Sequence, residues 1–197
     1  MKKKKIAGID YSLTSPAICV YTEENDDRLF DFDRCDCYYL LASKRQRQSP
    51  AWTHGLGNLH PEEYPDYKTD EERHEKLSVW AYQIVQGCEE VFIEGYAFAT
   101  SGISHVRSMA ENTGHLKQIL WKKKIPFISV PPTVIKKFAT GKGNSNKEGM
   151  YEAFMAEIST PSDLKERLTP KAKSIKNPVS DIVDSYFICK YGYNGFL

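Results

Sequence analysis

Residues 177–192 read NPVSDIVDSYFICKYG. Asn177 suits an N-cap, Pro178 a first turn, and Val179, Val183, Phe187 and Ile188 recur at helical spacing, which predicts a closing helix. Asp181 and Asp184 stand three apart inside it, so both carboxylates project from one face beside apolar neighbours. Unscreened, they repel. A fold that tolerates them has to bring them partners from elsewhere in the chain.

The chain is long enough for one sizeable core: 197 residues, 41% hydrophobic and 12% aromatic, read as a single domain spanning 1–197. It contains no apolar run near the length of a membrane span, and Asp10 interrupts the short apolar stretch after MKKKK too early for a signal peptide, so a soluble intracellular protein is expected. Cys19, Cys35, Cys37, Cys88 and Cys189 lack framework or zinc-knuckle spacing and fall mostly in apolar segments, where a thiol packs as a small hydrophobe. The net charge of +1 hides an asymmetry. Residues 1–100 carry 12 Lys+Arg against 18 Asp+Glu (12 − 18 = −6), whereas residues 101–197 carry 15 against 8 (15 − 8 = +7). The basic half gathers its charge in WKKK (121–124), in IKKFATGKGNSNK (135–147) and between Lys165 and Lys176, a pattern suited to a polyanion.

Three strands are expected first, over Lys5–Tyr11, Ala17–Thr22 and Arg28–Leu41, joined tightly enough for an antiparallel meander. Ser43 to Lys68 then loses periodicity and collects Gly, Pro, His and charge, which predicts a long surface excursion or insert. A helix follows, opened by the capping box Thr69-Asp70-Glu71-Glu72 and carrying Leu77, Trp80, Ala81, Ile84, Val85 and Cys88 on one stripe. Glu90–Tyr96 is a fourth strand and Pro126–Val130 a fifth, with a helix from Arg107 to Lys124 between them. A short helix over Thr133–Ala139, the loop TGKGNSN, a helix from about Lys147 to Ile158 and a Pro/Lys-rich link lead to the closing helix. The order βββαβαβ followed by helices describes an α/β, RNase H-like fold: a mixed five-stranded sheet, its first three strands antiparallel, flanked by helices.

Two strands carry an acid where burial is costly: Asp10 in the inner run of the first and Glu94 near the end of the fourth. With Asp181 and Asp184 they make four carboxylates from three separated segments. Each has a bland reading, as a strand-end acceptor, a salt-bridge partner or a solvent-facing helix residue. One cause accounts for all four together: a divalent-metal site of hard oxygen ligands, which in two-metal form acts on phosphodiesters.

GIDYSLTS, FIEGY, TGKGNSNKE and SDIVDSY resemble, in order, the four motifs of RuvC-type Holliday junction resolvases, and the match spans most of the chain. The resemblance implies a homodimeric, metal-dependent endodeoxyribonuclease that cuts four-way DNA junctions to leave 5′-phosphate and 3′-hydroxyl ends. Asp10, Glu94, Asp181 and Asp184 would bind two magnesium ions, for which manganese substitutes, and Lys142 or Lys147 would reach a phosphate near the cut. Lys136, Lys137, Asn144 and Ser12 join the expected DNA contacts. Tyr96 or Phe98 corresponds to an aromatic that helps to open the junction, and the helix carrying Gly114 corresponds to a dimer interface. The glycine-flanked lysines of GKGNSNK suit a phosphate cradle, although the order is not that of a P-loop. Tyr11, Ser15-Pro16 and the length of 43–68 depart from the family pattern, as a specialised viral or organellar branch would. The competing readings are a broader flap or debranching nuclease, an actin-like phosphotransferase suggested by GID with Ser and Thr, and a DNA-binding module that does not cut.

Overall fold

In the computed structural model the described residues are 4–23, 30–41, 43–96, 103–158, 162–169 and 174–195. Strands β1 (Lys5–Asp10), β2 (Ala17–Thr22), β3 (Cys35–Leu41), β4 (Leu59–Glu63), β5 (Glu90–Glu94) and β6 (Phe127–Val130) form one sheet in the order β4-β3-β2-β1-β5-β6. β1 pairs antiparallel with β2 and β2 with β3, as the meander requires, while β1–β5, β5–β6 and β3–β4 are parallel.

The sixth strand corrects the expected five. It lies inside the 43–68 excursion, after the short helices α1 (Lys44–Arg47) and α2 (Pro50–Thr53), and pairs with β3 from Cys37↔Leu59 to Leu41↔Glu63. Its sequence, LHPEE, has neither alternation nor β-branching. Proline and charge are tolerated there because an edge strand needs backbone hydrogen bonds on one side only. The third strand is also shorter than expected. Phe32–Arg34 form a single 3₁₀ turn whose entry is capped by Asp31, the Oδ1 of which accepts the Asp33 N–H at 3.2 Å; β3 begins at Cys35, and residues 24–29 lie outside the described part.

Helices α3 (Asp70–Val85) and α4 (Ile103–Lys122) cover one face of the sheet, where Leu77, Ala81, Val85, Leu116 and Leu120 bury against Ala7, Ile9, Val91 and Ile93. Thr69 caps α3 through the Glu72 N–H at 3.2 Å, but Glu72 reaches back to the Lys68 N–H rather than closing the reciprocal box. On the other face lie α5 (Pro132–Thr140), α6 (Lys147–Glu157), α7 (Ser162–Leu168) and α8 (Val179–Tyr193). α7 occupies what reads in sequence as a link; Leu164 and Leu168, four apart, bury against the α8-side core. All five cysteines are free and buried.

α8 comes unusually close to the sheet. A methyl group on Gly8 of β1 would stand 2.1 Å from the Cys189 nitrogen and 2.5 Å from the Ser185 carbonyl oxygen, and one on Gly192 would stand 2.2 Å from the Phe92 ring. Glycine at both points lets helix backbone and strand touch. Asn177 does not cap α8 as expected: Pro178 takes the cap position without a side-chain bond, and the Asn177 Oδ1 accepts the Ser180 hydroxyl at 2.8 Å instead.

Candidate active site

Alternation along β1 sends Ala7, Ile9 and Tyr11 towards α3 and α4, and Ile6, Gly8 and Asp10 towards α8. In the parallel register Ile9 faces Ile93, so Asp10 and Glu94 occupy neighbouring strand ends; Phe92 lies in the α8-side core, which puts Glu94, two residues on, on that face as well. α8 crosses above them. Ser185, Cys189 and Gly192 face the sheet, and Asp181, one turn before Ser185, continues that stripe to the end of β1. Asp10 and Asp181 are 8% and 5% exposed. Glu94 and Asp184 are partly buried.

The four acids act on one another. Burial, followed by repulsion from Glu94, Asp181 and Asp184, holds the Asp10 carboxyl well above its ordinary range, against the pull of Lys147. Glu94 is pushed up to about 7 by burial and by Asp184 and Asp181, with Lys136 opposing. Burial takes Asp181 to about 7, moderated chiefly by the Ser15 hydrogen bond and Lys147. Asp184 rises to about 6 through burial, with Lys147 and Lys136 opposing. A cluster in which every carboxyl is held above its ordinary range is short of positive charge.

Hydrogen bonds fix one of the four most firmly. The Ser15 hydroxyl donates to Asp181 Oδ2 at 2.6 Å, and the Ser180 hydroxyl lies 3.2 Å from Asp181 Oδ1. Lys147 Nζ reaches the Ser180 Oγ at 3.2 Å and the Asn177 Oδ1 at 3.5 Å, which ties the start of α6 to the start of α8. Asp10, Glu94, Asp181, Asp184 and Lys147 thus converge, with Lys136 beside them. Lys137, Lys142 and Asn144 are exposed on α5 and the loop before α6. Ser12 accepts the Ser15 N–H at 3.0 Å. Tyr96 is partly buried, and the Lys117 ammonium lies 5.6 Å from its ring centre; Phe98 lies outside the described residues.

Ser15, Ser180 and Asn177 are site residues that sequence reasoning misses. Ser15 and Asp181 are 166 positions apart, and SLTS gives no sign that its second serine, rather than its first, faces the acids. Among the described residues no three His, Cys, Asp or Glu side chains close around a point where an ion could sit, so the acids stand as electrostatic neighbours rather than as a finished cage. Their chemistry nevertheless fits a divalent cation: hard oxygen donors, buried, and lacking the charge that would let them ionise together.

No family model matches the chain, and no curated protein sequence matches it. Its fold is similar to that of RuvC from Thermus thermophilus, at a TM-score of 0.58 and 14% identity over 97% of this chain and 96% of that one. It is also similar to the structure of T. thermophilus RuvC in complex with a Holliday junction substrate (TM-score 0.60, 13% identity, 98% of this chain and 96% of that one). The yeast mitochondrial Holliday junction resolvase Ydc2 aligns at a TM-score of 0.56 and 13% identity over 96% of this chain and 78% of that one. The chain has the α/β, RuvC-type fold that its ordered motifs suggest. No helix among the described residues is long and apolar enough to cross a membrane.

Proposed function

We propose that this chain, acting as one nuclease domain, is a structure-selective endodeoxyribonuclease that resolves four-way DNA junctions by phosphodiester hydrolysis, leaving 5′-phosphate and 3′-hydroxyl ends. One observation carries the reading: Asp10, Glu94, Asp181 and Asp184, from three distant segments, share a buried site flanked by Lys147 and Lys136. Support also comes from the fold, whose solved neighbours include a RuvC bound to a Holliday junction.

In this reading the four carboxylates hold two magnesium ions, for which manganese substitutes, and the bound ions would supply an activated water and charge for the departing 3′ oxygen. The remaining roles belong to the chain. Ser15 and Ser180 orient Asp181, and the Lys147 ammonium, held by Asn177 and Ser180, is available to a non-bridging phosphate oxygen beside the acids. Lys136, Lys137, Lys142, Asn144 and Ser12 guide the backbone towards the site, and Tyr96 offers a ring for an unpaired base. Two copies joined through α4 would present two such sites to opposed strands of one junction.

The test presents a synthetic four-way junction, Y-fork, flap and linear duplex to the protein in magnesium or in calcium. The junction is cut in magnesium and scarcely in calcium, and binding weakens as salt rises because phosphate contacts release counterions. Equal cutting of the linear duplex rejects junction selectivity, preference for flaps favours a broader debranching nuclease, and failure to cut any of the four rejects the nuclease reading.

A further inference from the structure

Residues 43–68 take no part in the chemistry above, yet they end against the loop that follows Asp10. The Tyr64 hydroxyl donates to the Leu13 carbonyl, and the Arg73 Nη2 donates to the same oxygen at 2.6 Å. Arg73 Nε in turn donates to the Tyr64 hydroxyl oxygen at 2.8 Å, and the guanidinium carbon lies 4.8 Å from the Tyr67 ring centre. A carbonyl oxygen has two lone pairs, and here both have a donor, one of them charged. Leu13 and Tyr64 are 8% and 9% exposed, so this clasp is largely shielded from competing water.

Two residues beyond Leu13 is Ser15, whose hydroxyl holds Asp181. The Ser15 N–H bonds back to Ser12, and the Pro16 carbonyl accepts the Leu40 N–H at 3.2 Å. The loop from Tyr11 to Pro16 is thus fixed at one end by β3, in its middle by the insert and α3, and on its inner side by the acid site.

We propose that Tyr64 and Arg73 are positioning residues: they hold Leu13 so that Ser15 keeps one oxygen of Asp181 in place, which assigns the insert a part in building the acid site. The role rests on the nuclease reading, whereas the loop geometry can be measured without it.

The experiment compares wild type with Tyr64→Phe/Arg73→Gln, Ser15→Ala and the triple variant, reading junction-cleavage kcat and KM together with amide exchange at Ser15 and Leu40. Trp80→Phe is the control. It removes a different hydrogen bond between insert and α3, Trp80 Nε1 to Glu62 Oε1 at 3.1 Å, neither partner of which belongs to the Leu13 clasp. The double variant is expected to lose about tenfold in kcat at unchanged KM and to exchange the Ser15 amide faster. The triple variant should be no slower than Ser15→Ala, because both lesions act through one serine. Tyr64→Phe alone, losing about threefold, serves if the double variant does not fold. Trp80→Phe keeps wild-type kcat and exchange. Losses that multiply in the triple variant, or faster exchange at undiminished kcat, overturn the role. A wild-type protein that cuts no DNA overturns the nuclease reading and this role with it, whereas an active wild type with an indifferent clasp variant overturns this role alone.

Discussion

The two faces of β1 solve different problems with the same six residues. Towards α3 and α4 the strand presents Ala7 and Ile9 to Leu77, Leu116 and Leu120, and the buried polar residues of those helices, His74, Ser78, Asn112 and Thr113, are neutral or, in His74, favoured neutral by burial. Towards α8 it presents Ile6, Gly8 and Asp10, the helix backbone lies against the glycine, and the polar groups at the strand end are acids. Aspartate is short. Two of them on a helix can share a site with a strand-end aspartate only if helix and strand nearly touch, so the missing side chain at Gly8 and the carboxylates at Asp10, Asp181 and Asp184 belong to one arrangement. Both faces bury an apolar core, and only the α8 face adds charge at its strand ends.

The largest expected effect removes that charge. Asp10→Asn or Asp184→Asn should lower junction cleavage by about a thousandfold, roughly 4 kcal/mol, while leaving junction binding in place. The same changes should stabilise the metal-free fold. In the folded protein these carboxyls titrate above their ordinary values, Asp184 at about 6 and Asp10 well above the usual range. Between about pH 4 and the raised value the folded state therefore binds more protons than the unfolded one, and wild-type stability falls as pH rises through that window. Above it the penalty is fully present, so urea unfolding at pH 8 should show Asp184→Asn more stable by about 1–2 kcal/mol, with no gain at pH 4. Magnesium should stabilise wild type more at pH 8 than at pH 5. Equal stability of wild type and variant at both pH values would mean that the α8 face holds its acids no less comfortably than the other face holds its apolar groups.

Next in size is the contact that makes the charged face possible. Gly8→Ala puts a methyl group within 2.1 Å of backbone that no rotamer change can move, so α8 has to lift from β1. We expect a loss of about 3 kcal/mol in urea unfolding, and cleavage reduced even where the variant remains folded, because Asp181 and Asp184 travel with the helix. A variant of wild-type stability and activity would separate close packing from the acid site.

The legibility of these features in sequence follows the same division. Elements that bury an apolar stripe, β1, β5, α3 and α8, announce themselves by period, and the four acids stand out because each interrupts such a stripe. β4 was illegible because an edge strand can fold from LHPEE on backbone bonds alone, and α7 because Leu164 and Leu168 are two apolar residues in a charged seven-residue helix. Lys136 reads as one more cation of a basic run, and only the packing of α5 beside α8 gives it a place next to Glu94 and Asp184. Ser15 and the Leu13 clasp depend on contacts between segments far apart in the chain, which local pattern does not encode. Asn177 has the composition of a cap and serves Ser180 instead, a choice made by the geometry of the residues around it.

The smallest expected effect concerns the outer side of the packing face. Glu111, Gly114, Gln118 and Trp121 form an exposed stripe along α4, with Trp121 73% exposed, and a methyl group on Gly114 would meet nothing within 4 Å. Among the described residues of one chain the glycine has no packing to permit. It only adds backbone entropy to the unfolded state, so Gly114→Ala should stabilise the isolated chain by about 0.5–1 kcal/mol. The proposed homodimer through α4 would give the residue a use, because the absent side chain would let a second helix approach. Unfolding at low protein concentration should then show the gain, while sedimentation at higher concentration shows dimerisation weakened severalfold. A variant that gains stability at every concentration and self-associates like wild type would remove Gly114 from the interface. Close helix approach would then be a device of the α8 face alone.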